Sequence, residues 1–329
     1  MKKFLLTAAA VAALAATAGS ASAEKVVLQL KWVTQAQFAG YYVAQEKGYY
    51  KAAGLEVEIK PGGPDIAPEQ IIAGGGADVI VDWMPSALAS REKGNMLVNI
   101  AQPFKKSGLM LTCRKETGIK APADLKGKTL GVWFYGNEYP FLSWMAKLGL
   151  KTDSDIKVLK QGFNVDPLLQ KQADCISTMT YNEYNQVLEA GVKADDLVVF
   201  KYEDQGVATL EDGLYVEQDK LKDPKFVETM AKFVKASMMG WADMAKDPKG
   251  AVADVLKNDA SGSQTEVHQT SMVAEVNKLV DGSDGTLDVA AADRTVATLL
   301  SSTGDAPVIT KKPEGAWTDV VTKAAAALK

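Results

Sequence analysis

Four short clusters hold most of the side chains that could do chemistry. They are Trp32 with Gln35 and Gln37; Asp82-Trp83; Trp133, Tyr135, Asn137 and Glu138; and Tyr181-Asn182-Glu183. Each sets an indole or phenol beside an amide or a carboxylate. Aromatic faces stack on flat rings, and carboxylates and amides accept hydrogen bonds from ring N–H and amino groups. The combination suits recognition of a small, flat, nitrogen-rich heterocycle. The carboxylates Glu138 and Glu183 could also serve glycoside-type acid–base chemistry. A nucleophile–histidine system would have to use His268, the one histidine, which lies in a polar stretch with no strand-end serine motif nearby. An anionic ligand would meet several carboxylates and no arginine, since Arg91 and Arg114 stand away from these clusters. Gly131 and Gly136 lack the Gly-Lys-Ser or Gly-Lys-Thr pair of a phosphate cradle.

Each residue also has a plainer use. Trp32 could cap the core, as buried tryptophans often do. Asp82 could be the N-cap of a helix beginning near Pro85, and Glu138 a carboxylate favoured at a helix N-terminus by the dipole. Trp241 and Trp317 read as packing residues.

The elements that must position these clusters alternate. Val26–Leu30 is a short apolar run, the pattern of a strand buried on both faces. A polar break follows, then a helix from Gln37 to Lys47 closed near Gly48, a favourable left-handed position. Leu55–Ile59 alternates as the next strand, and Pro61–Pro64 turns the chain. Further strands are expected at Asp78–Val81, Met96–Ala101, Leu109–Cys113, Thr129–Trp133, Ile156–Leu159, Cys175–Met179, Leu197–Phe200 and Leu214–Val216. Helices are expected at Pro68–Ala73, Pro85–Arg91, Phe141–Leu148 and around Pro167–Gln170. This is the rhythm of an open, mostly parallel α/β sheet, in which ligands bind beyond the carboxyl ends of the strands. All four clusters fall at such ends. After Asp223 helices dominate: Lys225–Ala245, Lys249–Leu256, Gln264–Val280 and Val289–Leu300.

Met1–Ala23 reads as a cleaved leader: Lys2-Lys3, a short apolar stretch, and Ala21-Ser22-Ala23 before Glu24. No cysteine near the cleavage point invites a lipid anchor, and no later run has the length and apolarity of a membrane helix. The mature chain is expected to begin at Glu24 and to be soluble and exported, most simply to a bacterial periplasm. The formal charge of −4 becomes −6 without Lys2 and Lys3, which argues against nucleic acid and anionic membrane surfaces as partners. Cys113 and Cys175 could pair in an oxidising compartment or stay as buried thiols.

Several motifs then carry a resemblance across the mature chain. They are Trp-x-x-x-Ala-Gln-Phe-Ala-Gly-Tyr-Tyr-Val-Ala at Trp32–Ala44 and Lys-Gly-Tyr-Tyr-x-x-x-Gly-Leu at Lys47–Leu55. Ala77-Asp78, Asp-Leu-Lys-Gly-Lys at Asp124–Lys128 and Trp-x-x-Met-x-x-Asp-Pro at Trp241–Pro248 complete the set. With these the sequence resembles the ABC-transporter substrate-binding proteins related to thiamine-pyrimidine synthases, whose relatives bind pyrimidine precursors, riboflavin or alkyl sulfonates. The resemblance implies a two-lobed type II periplasmic binding-protein fold with a cleft between lobes. Lobe 1 would comprise residues 24–107 and 203–329, and lobe 2 residues 108–202, with crossings near Phe104–Leu109 and Phe200–Gly206. It implies a monomer that carries a small molecule to permease subunits in the inner membrane, with no catalytic residues. The ligand-binding set would be Trp32, Gln37, Asp82, Trp83, Trp133, Tyr135, Asn137, Glu138, Tyr181, Asn182 and Glu183. The sequence lacks the cysteine-rich motif and multiple histidines of the eukaryotic pyrimidine synthase, so no metal or cofactor is expected. The alternatives are an exported enzyme and a sulfonate-binding protein.

Overall fold

Among the described residues, ten strands form two five-stranded sheets. In the computed structural model, which describes residues 23–301 and 307–329, they are β1 (Glu24–Gln29), β2 (Leu55–Lys60), β3 (Val79–Asp82), β4 (Leu97–Ala101), β5 (Leu109–Arg114), β6 (Thr129–Val132), β7 (Lys157–Lys160), β8 (Cys175–Met179), β9 (Leu197–Lys201) and β10 (Gly213–Glu217). Apart from Ala23, the expected leader lies outside the described residues. Among those described, no helix is long and apolar enough to cross a membrane.

The first sheet runs β2-β1-β3-β10-β4 and the second β7-β6-β8-β5-β9. Four strands of each share one direction, while β10 and β5 run antiparallel to both neighbours. Each reversed strand is the first after a crossing from the other sheet. The crossings are thereby brought side by side, because β4 and β9, which lead out, pair with β10 and β5, which lead in. Glu211 ties them together: its carboxylate accepts from Gly108 N at 2.9 Å and from the Ser107 hydroxyl. Cys113 and Cys175 face each other across the β5–β8 ladder and form a disulfide.

The expected helix after β1 begins as a tight turn, Ala36–Phe38, and continues as Ala39–Glu46, with Gly48 left-handed at φ +73°. It packs against the long Pro224–Lys246 helix at a point of backbone contact. A Cβ at Gly240 would lie 2.0 Å from the Gly40 carbonyl oxygen. Tyr41, Trp241, Phe104 and Tyr181 then pack edge to face in succession, at centroid distances of 5.4, 5.8 and 6.5 Å. This aromatic file runs from the helix pair, through the first crossing, to the mouth of β8. Trp241 is buried, and Trp317 packs on a second apolar cluster around Ile80, Leu88 and Tyr215.

Candidate functional site

The site begins with the backbone that carries Lys31 and Trp32. Beyond β1 the parallel pairing with the β2 side persists, Leu30 N donating to Lys60 O at 2.8 Å and Gly62 N to Trp32 O at 2.8 Å. Position 62 must be glycine for that approach: a Cβ there would sit 2.4 Å from Leu30 O and 2.6 Å from Lys31 O. Trp32 and Lys31 are thus held rigidly at the carboxyl edge of the first sheet.

Opposite them stand the ends of β6 and β8. Trp32 meets Trp133 edge to face at 5.9 Å, so the lobes are closed on each other. Between them lies a cavity of at most about 290 Å³, lined by Lys31, Trp32, Gln35, Gln37 and Trp83 from one side, and by Trp133, Asn137, Met179, Tyr181 and Glu183 from the other. Its walls are mainly aromatic, with polar groups spaced around them.

Those polar groups are held from behind. Lys31 Nζ donates to Asp82 Oδ1 at 2.6 Å, with both side chains buried, and it also lies 5.3 Å from the Trp83 ring centroid. A buried pair of this kind is held by mutual attraction against desolvation. The second carboxylate oxygen of Asp82 has no partner. Asp212 accepts from Gln37 Nε2 at 2.8 Å and from the Trp83 indole N–H at 3.2 Å. Burial pushes its carboxyl up to about 6, opposed by the Gln37 contact, the Lys31 charge and the Trp83 contact. Glu183 is raised to about 7 by burial, although Met179 N at 3.0 Å and Asn182 Nδ2 at 2.8 Å favour the ionised form. A group poised near neutrality can offer a ligand either a proton or a lone pair.

Of the eleven residues expected at the site, seven come together on the cavity wall: Trp32, Gln37, Trp83, Trp133, Asn137, Tyr181 and Glu183. Asp82 and Asn182 stand one layer behind it. Asp82 is not the N-cap of the following helix: that position is Trp83, and Asp82 Oδ1 accepts from Trp83 N at 2.8 Å while holding Lys31. Glu138 turns back to accept from Gly136 N at 2.8 Å, and burial raises its carboxyl. Tyr135 leaves the cleft altogether. It is 40% exposed, in a left-handed backbone at φ +59°, with Lys160 Nζ 5.1 Å above its ring. As expected, no arginine is among the residues lining the cavity, but a basic group that sequence reasoning missed is there, Lys31. Its one sequence signal is adjacency to Trp32 at a strand end. Asp212 carried no signal, because its partners Gln37 and Trp83 are 175 and 129 residues away.

Comparison with known proteins places this geometry. Residues 35–251 match the family described as NMT1/THI5 like. The chain is 24% identical over 237 residues to a formylaminopyrimidine-binding protein of Halalkalibacterium halodurans, covering 71% of each chain. It is 25% identical to the riboflavin-binding protein RibY of Chloroflexus aurantiacus, over 69% of this chain and 64% of that one. It is 26% identical to a 4-amino-5-hydroxymethyl-2-methylpyrimidine phosphate synthase of Schizosaccharomyces pombe, over 45% of this chain and 42% of that one. The fold superposes with TM-score 0.61 on the alkanesulfonate-binding protein SsuA of Xanthomonas axonopodis pv. citri, at 14% identity, covering 84% and 91%.

Proposed function

The chain belongs to the NMT1/THI5-like family, and from that premise we propose that it is the periplasmic solute-binding component of an ABC importer, capturing a small aromatic nitrogen heterocycle. The observation that carries the reading is the inter-lobe cavity, walled by Trp32, Trp83, Trp133 and Tyr181 with amide and carboxylate groups between them. In this reading residues 24–107 and 203–329 form one lobe and 108–202 the other, the mature monomer starts at Glu24, and the loaded form docks on permease subunits in the inner membrane. Lys31 is the observation in favour of an anion such as a sulfonate, but its charge is matched by Asp82 at 2.6 Å, which leaves no net positive field for one.

Calorimetry with 4-amino-5-hydroxymethyl-2-methylpyrimidine, riboflavin and an alkyl sulfonate decides between these ligands. Tight binding of the pyrimidine is expected. Tight binding of the sulfonate with no response to either heterocycle would reject the ligand class while leaving a binding protein. A turnover assay on the bound pyrimidine separates binding from chemistry.

A further inference from the structure

The charges around the cleft do not balance. Lys31 Nζ is matched by Asp82 Oδ1 at 2.6 Å, which leaves two further buried carboxylates, Asp212 behind the cavity wall and Glu183 on it. Neither has a cation to bond. Asp212 is held by the Gln37 amide at 2.8 Å and the Trp83 indole at 3.2 Å. Glu183 is held by Met179 N at 3.0 Å and the Asn182 amide at 2.8 Å. The chain's one histidine, His268, presents its ring to Glu189 at 3.1 Å and to Asn182 Oδ1 at 2.8 Å, not to Glu183. A carboxylate buried among neutral donors is costly to keep ionised, and burial accordingly raises Glu183 to about 7. What the Glu183 end of the cavity lacks is a positive charge.

The rings around that end suit such a charge. Trp32, Trp83, Trp133 and Tyr181 line the same cavity. An aromatic face attracts a cation within about 6 Å of its centroid, and most strongly where water is excluded. Trp83 already does so, with Lys31 Nζ 5.3 Å from its centroid. Among the described residues, no side-chain cation lies over Trp32, Trp133 or Tyr181. Trp32 and Trp133 also do not form a slot for a flat ring. To hold one between them they would have to be parallel and separated by about twice the ~3.5 Å carbon contact distance. Instead their planes meet at 64° with centroids 5.9 Å apart. They make a corner, the shape of an aromatic cage rather than of two stacking plates.

We infer that the site selects for positive charge: its ligand is an organic cation whose charged nitrogen sits among Trp32, Trp133 and Tyr181 and is met by the carboxylate of Glu183. An N-alkylated nitrogen heterocycle and an aliphatic quaternary ammonium share this chemistry. A cation supplies Glu183 with the charge that the protein withholds, and the rings with the partner that Trp83 alone now has. A neutral ligand leaves the imbalance in place, and an anion worsens it. The inference rests on the reading of the cavity as the ligand site of a binding protein, and it adds a charge to the ligand class proposed there.

Two pairs of probes that differ in charge test this by calorimetry at pH 8. One is 4-amino-5-hydroxymethyl-2-methylpyrimidine and its N1-methylated pyrimidinium cation. The other is choline and its uncharged carbon analogue, 3,3-dimethylbutan-1-ol. In at least one pair the cation should bind about tenfold or more tighter than its neutral partner. Glu183→Gln, which keeps the side-chain volume and an acceptor for Met179 N, should bring that ratio close to one. If neither cation is preferred, including the case in which no probe binds, the inference is overturned. Tight binding of the neutral pyrimidine in that event would leave the heterocycle reading standing without it. Binding of choline with no response to either pyrimidine would reject the heterocycle and uphold the cation. A preference that survives Glu183→Gln undiminished would also overturn the inference, since the charge would then be met elsewhere.

Discussion

Lys31 is the residue on which most of the site turns. Its ammonium is buried against Asp82, backs onto the Trp83 ring and lines the cavity. Replacing it by Met keeps the stem volume and removes the charge, leaving Asp82 as an uncompensated buried carboxylate, one of whose oxygens already lacks a partner. Breaking one side of a buried pair costs about 3–5 kcal/mol. Lys31→Met should therefore lose about that much stability in urea, and Lys31→Met/Asp82→Asn should recover part of it. A single variant as stable as the parent would show the pair to be dispensable. At the same scale, the sequence revealed which residue types gather at strand ends but not where their side chains point. Tyr135 shares its loop with Trp133 and Asn137, yet a left-handed backbone turns it outward beneath Lys160. One backbone dihedral decides that, and composition does not record it.

The helix pair Ala39–Glu46 and Pro224–Lys246 shows what the elements contribute. Its approach is set by two small residues, with Gly240 against the Gly40 carbonyl and Gly40 beneath the Trp241 ring. A methyl group at position 240 has nowhere to go but into backbone, so Gly240→Ala should separate the helices and disturb the aromatic file leading to Tyr181. Overpacking of this kind costs about 1–3 kcal/mol, against a gain of about 1 kcal/mol from helix propensity. A clear fall in melting temperature is expected by calorimetry, with the ligand affinity lowered too. A rise would mean that the helices part without cost. The Gly40 position was visible in the Trp32–Ala44 motif, but its partner lies 200 residues on, and periodicity describes a helix without naming the helix it meets. The reversed strands β5 and β10 were hidden for the same reason. A buried strand reads as the same apolar run in either direction.

Across the whole molecule, three fully buried carboxyls lie along the route from hinge to cleft. Burial raises Glu211 to about 8, against the Ser107 and Gly108 contacts; Glu183 to about 7; and Asp212 to about 6. In the unfolded chain these groups release their protons near the ordinary carboxyl values, whereas the folded chain keeps them. Between roughly pH 4.5 and 8 the native state thus binds more protons, and its stability falls as pH rises, levelling once Glu211 has ionised. The melting temperature should decline from pH 5 to pH 8. Glu211→Gln, whose amide can still accept from Gly108 and donate to Ser107, should flatten the upper part of that slope. A melting temperature that climbs across this window would contradict the assignment.

The sequence by itself determined the alternation of strands and helices, the left-handed turn at Gly48, the family resemblance and the gathering of aromatic and amide residues at strand carboxyl ends. Each of these is written in neighbours a few residues apart, where side-chain period and turn chemistry act directly on the backbone. Only the tertiary structure decided the bond between Cys113 and Cys175, the pairing of Lys31 with Asp82, the grip of Asp212 on Gln37 and Trp83, and the meeting of His268 with Asn182. Those partners stand 62, 51, 175, 129 and 86 residues apart. What brings them together is the order in which strands enter the two sheets and the closure of one lobe on the other, and no local pattern of residues encodes either.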